Sequence, residues 1–71
     1  MTDLEIRRSL AVRMRREKAR LLQSGELPDP TEVYRWALQL EVLRRIERAQ
    51  AAGDMRGLRS WLTTARHIVG A

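Results

Sequence analysis

The chain has 71 residues, no cysteine, a formal net charge of +5 and a pI of about 11.3. That length allows one small domain, residues 1–71, with a thin core, because a ~60-residue chain buries only about 60% of its unfolded surface. The missing thiols exclude a disulfide framework, a thiolate metal site and a cysteine nucleophile, while the basic excess suits an acidic protein partner or nucleic acid.

The first helix is expected over residues 2–24. Thr2-Asp3-Leu4-Glu5 reads as a capping box, and Gly25 supplies a left-handed residue at the far end. At about 100° per residue, Ile6, Leu10, Met14 and Leu21 share an arc of roughly 80° that can face a core. Leu4, Ala11 and Leu22 extend the arc, and Glu17 falls inside it. Residues 7–20 carry seven basic side chains and one acid. Arg13, Arg16 and Arg20 lie together on the far side, with Arg8 and Arg15 flanking a third direction. The segment is therefore an amphipathic helix rather than a basic tail.

A second helix is expected over 30–52. Asp29 caps it, Pro30 takes the first helical position, and Glu32 can reach back to the cap. Leu27 and Pro28 stand where a hydrophobic staple to Val33 could form. This helix carries two apolar seams: Val33, Trp36, Leu40 and Leu43 make one, and Val42, Ile46 and Ala49, with Leu38 at the margin, make the other. A helix apolar on two sides needs two neighbours, as the middle member of a bundle has. Glu41 and Arg45 stand in the favourable i, i+4 order.

Gly53 closes the second helix and Asp54 caps a third, expected over 54–69 and ended by Gly70. Met55, Leu58, Leu62, Ala65 and Val69 follow helical spacing, with Trp61 and Ile68 widening the stripe. So short a junction folds the third helix back antiparallel and brings Trp61 near Ile46. Antiparallel packing of the first two helices sets Arg7 opposite Glu47. The expected fold is an all-α, small antiparallel three-helix bundle. Its core is Leu10, Met14, Leu21, Val33, Trp36, Leu40, Leu43, Ile46, Leu58, Trp61, Leu62 and Ala65. The second seam leaves room for completion by dimerisation.

Chemistry is sparse. His67, the one histidine, has Thr63, Thr64, Gly70 and Ala71 at i±3 and i±4, so no carboxylate orients it. A histidine near a helix C-terminus needs no further role than to suit the dipole there. The serines and threonines lack a local activating base, and the glycines form no phosphate loop. No catalytic residue, metal site or cofactor is expected; the chain reads as a non-enzyme.

Four binding readings remain. A helix-turn-helix is disfavoured because Asp54 follows Gly53 where an apolar residue is usual and the preceding helix is long. Membrane-surface binding is disfavoured because the first helix's apolar arc holds Glu17 and no Trp or Phe. No run approaches the ~20 apolar residues that span a bilayer. The longest early apolar run is Leu10-Ala11-Val12, behind Asp3 and Glu5, so no secretory signal and a cytoplasmic location are expected. The preferred reading is a small regulator or adaptor that binds a partner protein; direct nucleic-acid association through the basic first helix is the alternative. Arg8, Arg13, Arg15, Arg16 and Arg20 are the expected basic surface. Thirteen of the fourteen basic residues are Arg, which can reflect a G+C-rich genome. Size and composition suit a bacterial or mobile-element accessory protein.

Overall fold

The computed structural model describes residues 2–23, 25 and 27–70. Helices α1 (Asp3–Gln23), α2 (Pro30–Ala52) and α3 (Met55–Val69) follow in order, and each contacts both others in an all-α three-helix bundle. The expected end of the first helix at Ser24 lies outside the described residues. Thr2 and Asp54, at the expected helix starts, stand just outside as caps.

Local chemistry sets these boundaries. The Thr2 hydroxyl accepts from the Glu5 N–H at 3.2 Å and donates to Glu5 Oε1 at 3.1 Å. Asp29 Oδ1 accepts from the Thr31 N–H at 2.9 Å, with Pro30 in the first helical position. Between α2 and α3, Gly53 adopts φ 69°, and its N–H donates to the Gln50 carbonyl at 3.2 Å. The next N–H, that of Asp54, reaches the Ala49 carbonyl at 2.9 Å. These two bonds form a Schellman closure, and its left-handed residue favours glycine. Asp54 Oδ1 then accepts from the Gly57 N–H at 2.9 Å, so α3 begins without a linker.

Ile6, Leu10 and Met14 of α1, Val42 and Ile46 of α2, and Leu62 and Ala65 of α3 form the buried cluster. Trp36, Leu40, Leu43, Leu58, Trp61, Ile68 and Val69 are half-buried against it. Thus the Val42–Ile46–Ala49 seam is the enclosed face of α2, and the Trp36–Leu40–Leu43 seam borders it. Trp36 Nε1–H donates to the Met14 carbonyl at 3.0 Å, which satisfies the indole and ties α2 to α1. Leu21 is half-buried outside the central cluster.

Val33 departs from the expected core: it is 42% exposed. The cause is length. α3 has 15 residues against 23 in α2, so at 1.5 Å per residue it is about 12 Å shorter. Starting beside the end of α2, it stops before reaching the first turns of that helix. The last turns of α1 and the first of α2 consequently form a two-helix tip, and the molecule measures 42 × 21 × 17 Å. Of the two residues expected to staple Val33, Leu27 is 97% exposed and Pro28 is half-buried.

Two expected polar contacts also change partner. Arg7 donates to Gln50 Oε1, three residues beyond the expected Glu47 on α2. Glu32, expected to reach back to its cap, accepts from Arg20 of α1 at 2.9 Å. The Glu41–Arg45 pair forms at 2.8 Å.

Candidate binding surface

The spacing 9, 13, 16, 20 puts Ser9, Arg13, Arg16 and Arg20 on one stripe of α1, and Arg8 and Val12 border it. These residues and Glu17 make one wall of a groove of about 690 Å³; Arg35 and Gln39 of α2 make the other. Four of the five arginines expected on the basic surface, Arg8, Arg13, Arg16 and Arg20, therefore converge there. Arg15 is exposed and does not line the groove. Arg35 joins them because the register that sets Glu32 beside Arg20 carries the next turn of α2 to the same place.

Within the groove the arginines are not equivalent. Arg20 bridges Glu17 at 2.6 Å and Glu32 at 2.9 Å. Its hydrogen bonds to Glu17 and then Glu32 raise its guanidinium further above the ordinary arginine range. The hydrogen bond from Arg20 is also the main cause holding the Glu17 carboxyl below its usual range, and the charges of Arg20, Arg13 and Arg35 act in the same direction. Such an exposed triad adds little to stability. Its larger consequence is that Arg20 and the groove's acid offset one another. Among the described residues, Arg8, Arg13, Arg16 and Arg35 have no ion-pair partner within 4 Å.

A second depression, of about 550 Å³, shares Arg13, Arg35 and Gln39 with the first. Leu38, Glu41 and Val42 of α2 and Trp61, Thr64 and Ile68 of α3 complete it. Its acid is also occupied, since Glu41 accepts from Arg45, whose hydrogen bond is the first cause lowering the Glu41 carboxyl. The Arg45 guanidinium lies 5.6 Å from the Trp61 ring centroid, within cation–π range. The side-chain oxygen of Gln39 is buried and has no hydrogen-bond partner among the described residues. The two depressions thus form one surface with an apolar trough, a basic groove and a shared rim.

Elsewhere, His67 is exposed, and the Thr63 and Thr64 hydroxyls donate to the carbonyls of Arg59 and Ser60, four residues back on their own helix. Among the described residues, no group of three or more His, Asp or Glu is placed to hold a metal ion, and no helix is long and apolar enough to cross a membrane. Comparison of the chain with protein-family models, with curated proteins and with solved structures finds no match.

Proposed function

We propose that the protein is a non-catalytic binding module, a small regulator or adaptor in the cytoplasm, that holds an acidic segment of a partner protein along α1. One observation carries this reading. Arg8, Arg13, Arg16 and Arg35 line a single groove and have no ion-pair partner among the described residues, while the acids bordering the surface are paired to Arg20 and Arg45. A field of one sign in a concave surface steers an oppositely charged ligand and fixes its register.

Direct nucleic-acid association is the second reading, because the same four guanidinium groups can contact phosphates. The adjoining trough of Leu38, Val42, Trp61 and Ile68 favours a protein, since a phosphate backbone has no use for an aliphatic wall. Binding to an acidic peptide and to a short DNA duplex, each titrated with salt, separates the two. A duplex held by four phosphate contacts gives a slope of log K on log salt of about −3.6. The protein-partner reading predicts measurable peptide affinity and weak, sequence-independent DNA affinity. Tight DNA binding with that slope, and none to the peptide, would reverse the assignment.

A further inference from the structure

We propose that the trough between α2 and α3 is an anchor pocket for the apolar face of an amphipathic helix whose acidic flank lies toward Arg13 and Arg35. The inference rests on the reading of the groove as a site for an acidic protein segment, and it names the form that segment takes.

Three features of the trough carry it. Its walls are Leu38, Val42, Trp61 and Ile68, around an open depression of about 550 Å³. Leu38 is half exposed although it faces this depression, so apolar surface remains there for a partner to cover. Finally, Arg13 and Arg35 stand on the rim shared with the basic groove, which puts positive charge directly beside the apolar wall.

The architecture selects the conformation of the occupant. Addition of a strand requires a free sheet edge, and the described residues form only helices. Polyproline segments dock in grooves walled by several aromatics, whereas Trp61 is the one aromatic residue lining this trough. A helix laid across α2 and the end of α3 meets neither obstacle. It places side chains at i, i+3, i+4 and i+7 in the trough and acids on the flank toward Arg13 and Arg35. A second copy of this chain, with its net charge of +5, lacks the acidic excess that the Arg13 and Arg35 rim selects.

The test uses the full chain, labelled with nitrogen-15, and a synthetic helical peptide of about 18 residues with leucines at i, i+3, i+4 and i+7 and glutamates along one flank. Two control peptides replace the leucines by alanine or the glutamates by glutamine. The expected shifts fall on the backbone amides of Leu38, Val42 and Ile68 and on the Trp61 indole N–H. The Trp36 indole N–H, bonded to Met14, stays in place. Affinity falls at least about tenfold for each control peptide and for Leu38→Glu, a change at a half-exposed position, with thermal melts verifying that the variant folds. If the leucine and alanine peptides bind equally, with shifts confined to the arginines, the anchor pocket is refuted and the acidic-segment reading survives. If the glutamine peptide binds as well as the glutamate peptide, the acidic-segment reading fails and the proposal fails with it. Shifts produced by a short DNA duplex and by no peptide overturn both, as does the absence of any response.

Discussion

Truncation of Ile46 and of Val33 tests how far the third helix covers the second. Ile46 is fully buried in the cluster shared by all three helices, and Val33 is 42% exposed beyond the end of α3. Ile46→Ala removes methyl and methylene groups from an enclosed site and leaves a cavity, at about 2–5 kcal/mol. A domain of this size has a total stability of roughly 4–10 kcal/mol, at ~0.05–0.15 kcal/mol per residue, so the change removes a large fraction of it. A loss of 3 kcal/mol lowers the melting temperature by about 12–24 °C, on the scale of ~4–8 °C per kcal/mol. Val33→Ala gives up part of an already wet side chain and should cost under about 1 kcal/mol. Urea unfolding followed by far-ultraviolet circular dichroism reads both changes, at two protein concentrations. Equal losses for the two variants would refute the bare two-helix tip. If those losses grew on dilution, a second chain would be covering Val33.

Three further outcomes follow from individual contacts. Asp29→Ala should cost about 0.5–2 kcal/mol by freeing the Thr31 N–H, and urea midpoints no lower than those of the parent would remove Asp29 from its capping role. Gln39→Met should raise stability by about 1 kcal/mol, because it replaces a buried oxygen without a partner by an apolar group of similar shape; a loss in thermal melts would show that this oxygen is satisfied in solution. For Glu17, pairing with Arg20 depresses the folded-state carboxyl below its ordinary 4.5. Its contribution is therefore present above that value and is lost as pH falls through the folded-state value. A carboxyl titration by NMR should find the Glu17 midpoint low in the parent and higher in Arg20→Gln; the same midpoint in both would dismiss the pair.

The helices and their ends were legible because capping is local chemistry. Asp29-Pro30 and Gly53-Asp54 state their roles within a few residues of sequence, and the structure closes both as expected. The buried face was legible too, since periodicity reports direction around a helix. It does not report position along one, which is why Val33 shares a seam with Trp36 in the sequence and stands in solvent in the fold. The stripe of Arg13, Arg16 and Arg20 could likewise be read from spacing. That Arg20 is spent on Glu17 and Glu32, and that Arg35 replaces it, depends on the register between two helices. The partner of Arg7, Gln50 in place of Glu47, was likewise beyond spacing within one helix, because a long side chain can reach along its neighbour. The bond from the Trp36 indole to a helical carbonyl had no sequence signal, because any helix offers such carbonyls.

The central claim is that position in the groove, and not net charge, makes the surface a binding site. Two triple variants with the same change in charge test it directly. One reverses Arg13, Arg16 and Arg35 to Glu inside the groove; the other reverses Arg15, Arg44 and Arg56, exposed residues outside both depressions. Affinity for the acidic helical peptide is measured by titration at fixed salt, with circular dichroism to verify that both variants stay helical. The groove variant should lose binding by more than about a hundredfold, roughly 3 kcal/mol, while the other stays within about tenfold of the parent. Equal losses in the two variants would contradict the account and reduce the arginines to a diffuse positive field.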